Sequence, residues 1–258
     1  MRKYLIFFAA ALSAFGQQYA ANAANTAPIA RVSFLRSQWN GTNMLGDTSL
    51  IAYWRCTQYN ASTFLDFSGN GLLGRFTGTQ NQPGWTGKIA PRSVYFNKSN
   101  PNSIYATVNP TVTMPFTVIA WVQPGTLFNN YARIIENLFS SDFYLGSDST
   151  LTHYTFVINN TFATGGTLTS GTWQMVAGTY DGTTMVLYVN GSSVATSTAA
   201  TNPGTKTIAT SIGYCSSAGP TGCSAASGAW DGAMASIRLY GRALSGAEIS
   251  AIYAAENH

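Results

Sequence analysis

The chain has 258 residues, and 9% of them are charged, against about 25% in a typical soluble protein. Its 13 basic and 9 acidic residues form no basic cluster, so the composition does not support binding to nucleic acid. A chain of this length suits one large all-β domain of roughly 200–250 residues. Such a domain buries a substantial core without needing disulfides.

The first 23 residues are organised like a secretory signal. Arg2 and Lys3 make a basic start, residues 5–16 are uncharged and mostly apolar, and Ala21-Asn22-Ala23 is a small-residue exit. The apolar run is 12 residues long, whereas a membrane-spanning helix needs roughly 20. An uncleaved anchor or an ordinary N-terminal helix is the alternative. We therefore expect secretion to the outside or the cell surface (the periplasm in a bacterium), with no membrane span after cleavage.

The three cysteines are Cys56, Cys215 and Cys223. In an oxidising compartment the near pair, Cys215 and Cys223, is the expected disulfide. It would close a small loop, so its stabilising effect should be modest. Cys56 stands in an apolar run and is expected to be a buried thiol. No cysteine spacing matches a zinc site, and His153 and His258 are the only histidines.

The character of the chain changes at Leu50. Residues 24–48 are weakly patterned and predict an arm or linker, whereas 49–258 predict one domain. From Leu50 onward, short runs of β-branched and aromatic residues alternate with Gly, Asn, Pro, Ser and Asp, as in a sandwich of many short strands. The predicted strands are 50–56, 93–96, 103–108, 116–122, 132–137, 152–158, 173–180, 184–190, 207–213 and 233–240.

Residues 173–196 predict three consecutive antiparallel strands. Asp181-Gly182 and Asn190-Gly191 separate the apolar runs, and both pairs are typical of tight hairpin turns. Trp54, Trp121 and Trp173 lie within predicted strands and are expected to fill the core.

One helix is predicted near the C-terminus. Ser245 is suited to cap it, and Glu248 three residues later completes a capping box. Its predicted buried stripe consists of Ala247, Ile249, Ile252 and Tyr253. Arg238, in the apolar strand before this helix, needs a carboxylate or carbonyl partner, because a buried unpaired charge is costly.

Five stretches resemble motifs of the laminin-G-like domains, and they follow one another in that family's order. They are 66–74 (DFSGNGLLG), 116–124 (FTVIAWVQP), 171–182 (GTWQMVAGTYDG), 187–191 (LYVNG) and 230–245, with WDG and RLYGRALS at its two ends. The resemblance runs from about residue 50 to 255. It implies the jelly roll of the concanavalin A-like superfamily. The expected fold is therefore all-β, with two antiparallel sheets and one short C-terminal helix.

The resemblance also raises calcium as a ligand of the loop that contains Asp66 and Asn70, since family members often hold calcium there. Calcium takes 6–8 oxygen ligands. The positions of the family's usual supporting acids are Thr57, Gln58, Ala235 and Ser236. The alternative is that Asp66 and Asn70 bond the backbone of their own loop. No cofactor is required under either interpretation.

Glycoside hydrolases and lyases also belong to this superfamily. Retaining glycosidases need two carboxyl groups about 5–5.5 Å apart. No two acids in this chain stand two residues apart within a predicted strand. Asp142 and Asp148 flank a short strand or loop, but their spacing matches no catalytic pattern. The sequence therefore predicts no catalytic residue and no enzyme activity.

Four aromatic residues lie outside the core-like runs, in Gly- or Asn-rich surroundings: Trp39, Trp85, Tyr131 and Tyr144. Each is either a platform for a ligand or a filler of its loop.

The first functional hypothesis is a recognition module for a glycan or an extracellular protein. The second is a self-associating structural subunit of a layer, filament or particle. The third is a polysaccharide hydrolase or lyase with an atypical site.

Overall fold

The computed structural model describes residues 47–60, 63–77, 93–96, 105–108, 110–125, 130–137, 143–198, 206–207, 210–213 and 228–256. The predicted signal, nearly all of the predicted arm, Trp39, Trp85 and the predicted Cys215–Cys223 disulfide lie outside these residues, as does the side chain of Cys56. These predictions stay predictions. Within the described ranges, no helix has the length and apolar character needed to span a membrane.

The described chain is almost entirely antiparallel β-structure and contains one helix. The strands are β1 (Leu50–Asn60), β2 (Thr63–Asp66), β3 (Gly74–Thr77), β4 (Val94–Phe96), β5 (Tyr105–Val108), β6 (Thr111–Val112), β7 (Phe116–Pro124), β8 (Arg133–Asn137), β9 (Phe143–Ser147), β10 (His153–Ile158), β11 (Thr161–Thr167), β12 (Gln174–Tyr180), β13 (Thr184–Val189), β14 (Ser192–Thr198), β15 (Lys206–Thr207), β16 (Thr210–Ile212) and β17 (Gly232–Tyr240). The helix is α1 (Gly246–Glu256).

One hydrogen-bonded path runs β11-β10-β9-β8-β16-β5-β3-β2-β1-β17-β7-β12-β13-β14, with β4 paired to β17, while β6 and β15 pair separately. The path folds over on itself into two facing layers. We call β11-β10-β9-β8-β16 the first layer and β1-β17-β7-β12-β13-β14 the second layer. This arrangement is the expected antiparallel sandwich.

The core between the layers is held by aromatic contacts. The Phe116 ring of β7 lies 4.7 Å from that of Phe143 on β9 and 5.9 Å from that of Phe156 on β10, centroid to centroid. Gly178 on β12 faces the same Phe156, and a Cβ there would lie 2.6 Å from the ring. The two layers therefore approach closely where one contributes an aromatic ring and the other has no side chain.

Nine of the ten predicted strands each overlap one observed strand, whereas the predicted strand 207–213 corresponds to two short strands, β15 and β16, which pair in different sheets. The three-stranded meander is confirmed, because β12 pairs with β13 and β13 with β14. At its second turn Asn190 and Gly191 both have positive φ, of 50° and 79°, as the two central residues of a type I′ turn require. Trp54 and Trp121 are buried as predicted, whereas Trp173 is half-buried just before β12.

The helix begins as predicted. The Ser245 hydroxyl accepts a hydrogen bond from the Glu248 amide at 3.3 Å, and the Glu248 carboxylate accepts one from the Ser245 amide at 2.8 Å. This is the reciprocal capping box. Ile249 and Ile252 are buried against the outer face of the second layer, but Ala247 is exposed and its place in the stripe was wrongly predicted. The third buried residue is Glu256, at the end of the helix.

The partner that Arg238 needs is Glu256. Nη2 of Arg238 pairs with Oε1 of Glu256, and the Trp121 indole donates to Oε2 at 2.6 Å. A carboxylate in the last helical turn faces the negative end of the helix dipole. Arg238 and Trp121 offset that cost, and they fix the end of α1 on the sheet.

We expect Glu256→Ala to lower the free energy of unfolding by about 3–5 kcal/mol, because it leaves the Arg238 charge buried and unpaired. The double variant Arg238→Met/Glu256→Met should recover most of this loss, since it removes both charges. Urea denaturation of the three proteins at pH 7 measures both effects. A loss below about 1 kcal/mol in the single variant would show that α1 does not depend on this pair.

Candidate functional site

Tyr131, one of the predicted ligand residues, is exposed at the loop that leads into β8. Its side chain is 38% exposed, and its φ of 56° lies in the left-handed region that a bulky residue rarely adopts. The backbone holds this conformation from both sides. The Tyr131 amide donates to the Asp148 carbonyl at 3.2 Å, and the Tyr131 carbonyl accepts from Nη1 of Arg133.

The turn at 148–153, between β9 and β10, lies against Tyr131. Oδ2 of Asp148 accepts the Thr150 hydroxyl at 2.6 Å and lies 3.3 Å from Nδ1 of His153, while Oδ1 accepts the Thr152 amide at 3.2 Å. Leu151 is a second bulky residue with positive φ, at 62°. We call Tyr131 and residues 148–153 together the tyrosine rim.

The rim contains a stable negative charge on Asp148. Burial alone would raise the pKa of Asp148, but its hydrogen bonds from Thr150, His153 and Thr152 outweigh burial and hold the pKa below its ordinary value. The imidazole of His153 is about half exposed. The rim thus combines an exposed tyrosine with two exposed threonines and a half-exposed imidazole, grouped around the Asp148 carboxylate, which is only 13% exposed. The sequence prediction included Tyr131 alone.

Tyr144 does not belong to this exposed site, and its prediction as a ligand-face residue is wrong. It lies in the middle of β9 with no exposed surface. The Arg133 guanidinium stands 3.8 Å from its ring centroid, and Arg133 pairs with Glu136 at 2.9 Å. Burial raises the pKa of Tyr144 well above its ordinary value. Tyr144 supports Arg133, which in turn binds the Tyr131 carbonyl. Its effect on the rim is therefore indirect.

The Asp66 loop is closed by its own hydrogen bonds. Oδ1 of Asp66 accepts from the amides of Tyr53 and Ser68, at 2.9 and 2.8 Å. Oδ2 accepts from the Ser68 hydroxyl at 2.8 Å and the Leu72 amide at 3.0 Å. Both carboxylate oxygens therefore act as loop acceptors.

Asn70 turns its donor group toward the nearest carbonyl oxygens. Its Nδ2 lies 2.9 Å from the Leu50 oxygen and 2.8 Å from that of Ile51. In the parts of the chain that the structure describes, no three His, Cys, Asp or Glu side chains are grouped to hold a metal. The oxygens that calcium needs are engaged within the loop, so this arrangement does not fit the ion.

Each acidic residue in the described ranges accepts at least one hydrogen bond from the protein. The eight acids are Asp47, Asp66, Glu136, Asp148, Asp181, Asp231, Glu248 and Glu256. A catalytic acid needs a proton at the working pH and access to substrate. Glu136, Asp231 and Glu256 are buried, which removes their access to substrate.

Asp47 and Glu248 come close together, but an arginine lies between them. Nη2 of Arg242 is 2.5 Å from Asp47 and 2.6 Å from Glu248. Arg242 lowers the pKa of Glu248 to about 2. Burial alone would raise the pKa of Asp47, but hydrogen bonds from Arg242 and Ser49 leave it below its ordinary value. Neither carboxyl group holds a proton at neutral pH, so the pair is unsuited to acid catalysis.

A protein-family profile described as a concanavalin A-like lectin/glucanases superfamily, of the laminin G type, matches residues 96–250, more than half of the chain. The chain belongs to this superfamily. A search of the curated proteins finds no relative.

One similar solved structure is domain 4 of AbnA, an extracellular GH43 arabinanase from Geobacillus stearothermophilus, in complex with arabinotriose. Its sequence is 15% identical to this chain, and the TM-score is 0.59. The match covers 78% of this chain and 97% of that domain. The binding domain of Paraclostridial Mosquitocidal Protein 1 is 13% identical with a TM-score of 0.61, and that of Botulinum Neurotoxin DC in complex with SialylT is 14% identical with 0.59. For both, 81% of this chain matches 52% of the toxin chain.

Identities this low establish that these proteins share the superfamily's fold, and nothing more. The chain spans about half the length of the two toxin binding domains. It spans almost all of the arabinanase domain.

Calcium should leave the thermal unfolding of this superfamily member unchanged, because Asp66 and Asn70 are already bonded within their loop. We expect midpoints within about 1 °C of each other in millimolar calcium and in chelator, since a ligand that does not bind the native state does not stabilise it. Melts of the purified chain provide the measurement. A rise of several degrees with calcium, lost in Asp66→Asn, would contradict the closed-loop arrangement.

Glu248→Gln should destabilise the protein at pH 7 by about 1 kcal/mol, which is the magnitude expected for a solvent-exposed ion pair. Because the folded pKa of Glu248 is about 2, its contribution is complete above its ordinary value of 4.5 and disappears as the pH falls toward 2. Urea denaturation at several pH values should therefore show the difference between wild type and variant shrinking from about pH 4 downward and disappearing only near or below about pH 2. A difference that stays constant with pH would show that the carboxylate charge is irrelevant.

Proposed function

We propose that the chain is a secreted, non-catalytic recognition module that binds a glycan or an extracellular protein at the tyrosine rim. One observation carries the proposal. The exposed Tyr131 ring is held in a left-handed backbone conformation beside the Asp148 turn. A bulky residue keeps such a strained conformation when the surroundings enforce it, and positions of this kind cluster at ligand sites.

The chemistry of the rim suits a sugar ring or a polar peptide. An aromatic side chain offers an apolar face at low cost in conformational entropy, and a few placed polar groups fix the orientation of a ligand. In the rim these groups are the Thr150 and Thr152 hydroxyls and the His153 imidazole, which the Asp148 carboxylate holds in place. Their position is already set by hydrogen bonds, so binding need not order them.

The solved structures support such a role for the fold in other proteins. A domain of the arabinanase is seen with arabinotriose, and the neurotoxin binding domain is seen with SialylT. A further botulinum structure describes entry that depends on interaction with two ganglioside molecules. Proteins with this fold are therefore seen in complexes with sugars.

The absence of catalysis is supported by the state of the described acids. Each carboxylate is hydrogen-bonded, and the one close pair shares the Arg242 cation. Secretion is supported by the basic start, apolar run and small-residue exit within residues 1–23. The nearly balanced charge of the rest of the chain, with 11 basic and 9 acidic residues after Arg2 and Lys3 are removed, makes nucleic acid an unsuitable partner.

A structural or assembly role is the second candidate, and the two ends of the strand path favour it. The edge strands β11 and β14 each have seven residues, none of them charged and none a proline. Edge strands without charges or proline are suited to pairing with another chain. Self-association through these edges is compatible with ligand binding at the rim.

Tyr131→Ala should weaken ligand binding at least tenfold while leaving the thermal midpoint unchanged, because the exposed ring contributes contact area but no core packing. A glycan array probed with the full chain identifies a ligand, and titration of wild type and variant with that ligand measures the effect. Equal affinity of the two proteins would remove Tyr131 from the site.

Leu73→Ala is the matched control. Leu73 is an exposed apolar residue, 51% accessible, on the Asp66 loop between β2 and β3. Its removal should change neither binding nor stability. An equal loss in this control would point to nonspecific apolar adsorption. Large uniform assemblies in size-exclusion chromatography, with no array signal, would favour the assembly role.

A further inference from the structure

The pairing of β10 with β11 places a row of side chains on the outer face of the first layer. Tyr154, Phe156 and Ala163 belong to the core between the layers. The residues that alternate with them therefore point outward. Three directly opposite pairs share this outer face: His153 with Thr167, Thr155 with Thr164, and Val157 with Phe162.

The exposed part of this face is narrow. Thr155 and Val157 on β10 are fully buried. Their partners on the edge strand β11 are exposed, and the accessible fraction of Phe162 is 39%. His153 and Thr167, the pair at the other end, are both exposed. We call the four exposed residues of this face the β11 track: Phe162, Thr164, Thr167 and His153.

A glycine bulge keeps the track continuous. His153 pairs with Thr167, but the next residue of β10 pairs with Gly165. Gly166 is therefore an extra residue in β11, which is a β-bulge. Regular alternation from Thr164 would turn Thr167 inward, and the extra residue returns it to the outer face. Gly166 has a φ of 65°, and a Cβ there would lie 2.6 Å from a valine side chain of β13, so the bulge depends on glycine.

The track joins the tyrosine rim at His153, which belongs to both. The Tyr131 amide donates to the Asp148 carbonyl, and the Asp148 amide donates to the His153 carbonyl at 3.0 Å. Tyr131, the Asp148 turn and His153 thus follow one another across the first layer. From His153 to the level of Phe162 is four residues along β10, or roughly 13 Å at about 3.3 Å per residue. Two exposed aromatic side chains therefore mark the two ends of one exposed surface.

The chemistry between these ends is hydroxyl-rich and nearly free of charge. No residue of β11 is charged. The Thr164 hydroxyl lies 2.8 Å from that of the buried Thr155, which orients it. Where the track meets the rim, the Asp148 carboxylate provides the negative charge described above, and a like charge on a ligand would be repelled. These features favour a neutral ligand that both donates and accepts hydrogen bonds.

A sugar chain fits these features better than a peptide does. An extended peptide gains its affinity at the free edge of a sheet, through backbone hydrogen bonds. The track lies on the face of the sheet, where it offers side chains: an aromatic ring, two threonines and an imidazole. Apolar faces with a few placed polar groups are the usual composition of a small-molecule site, and a sugar ring presents both an apolar face and hydroxyls.

We propose that the ligand is a neutral, linear oligosaccharide that extends from Tyr131 along the β11 track to Phe162. This inference rests on the proposed recognition function and specifies its ligand class. A single sugar covers one end of the track, whereas a longer chain contacts both aromatic rings and the threonines between them. Affinity should therefore increase with the length of the oligosaccharide.

Isothermal titration of the full chain with neutral gluco-, xylo- and manno-oligosaccharides, from disaccharide to hexasaccharide, tests the inference. At least one series should bind about tenfold more tightly at the long end than at the short end, because one further well-packed contact is worth about this much. Equal affinities along every series that binds would overturn the extended site, and so would the absence of binding to all of these probes.

Phe162→Ala should weaken binding of the hexasaccharide about tenfold and leave the disaccharide unchanged, since the disaccharide reaches only the Tyr131 end. Phe162→Leu keeps an apolar side chain opposite Val157 and should show the same loss without a change in the thermal midpoint. Thr167→Val removes one hydroxyl at nearly constant shape and should weaken the hexasaccharide about fivefold.

Thr196→Val is the matched control. Thr196 is an exposed threonine of the other edge strand, β14, and it pairs with Val186 in the second layer. Its replacement should leave the affinity for every oligosaccharide unchanged. An equal loss in this control and in Thr167→Val would overturn the assignment of Thr167 to the site.

The variants separate this inference from the proposed function. Loss of binding in Tyr131→Ala, together with wild-type affinity in both Phe162 variants, would overturn the extended site and keep the tyrosine rim. Wild-type affinity in Tyr131→Ala and in both Phe162 variants would overturn both. Binding restricted to acidic oligosaccharides or to a protein would overturn the neutral ligand and keep the recognition function.

Discussion

A guanidinium group that becomes buried needs a carboxylate partner and an aromatic ring on which it can stack. This constraint determines how the two outer faces of the sandwich are arranged. On the first layer Arg133 pairs with Glu136 and lies on the Tyr144 ring. On the second layer Arg238 pairs with Glu256 and lies on the Tyr53 ring. The same three-part solution occurs twice, on opposite sides of the core.

The two pairs have different consequences because their carboxylates come from different places. Glu136 is on the same strand as Arg133, so that pair is local, and Nη1 of Arg133 binds the Tyr131 carbonyl. The buried Arg133 guanidinium therefore supports the tyrosine rim through this hydrogen bond. Glu256 comes from the helix, so the second pair joins two elements and decides where α1 lies. The position of Tyr131 in the rim and the attachment of α1 to the sheet therefore both depend on a buried arginine that is paired with a glutamate.

Local sequence signals were sufficient wherever the structure depends on neighbouring residues. The Asn190-Gly191 turn and the Ser245–Glu248 capping box were predicted because each is complete within a few residues. Tyr144 was misplaced because the run at 143–147 is short and ends in glycine and serine, which resembles a loop. Its alternation of Phe143 and Leu145 toward the core was the available signal for a strand.

Other features depend on strand irregularities and tertiary contacts, which the pattern of apolar residues along a strand does not predict. Regular alternation places residues 133 and 136 on opposite faces. A register shift between Arg133 and Ile135 brings Arg133 and Glu136 to the same face. The local sequence contains no signal that predicts this irregularity. The need of Arg238 for a partner was predictable from burial cost, but the choice of Glu256 was not, since it depends on how the helix crosses the sheet. The contact of Tyr131 with the Asp148 turn is a tertiary contact of the same kind.

The placement of Glu256 also has a consequence for folding. The counter-charge of Arg238 lies on the helix and not on the sheet, so Arg238 has to stay hydrated until α1 docks. The Phe116 contacts between the two layers involve no residue of α1. Dehydration of the outer face, unlike packing of the aromatic core, therefore requires the docked helix.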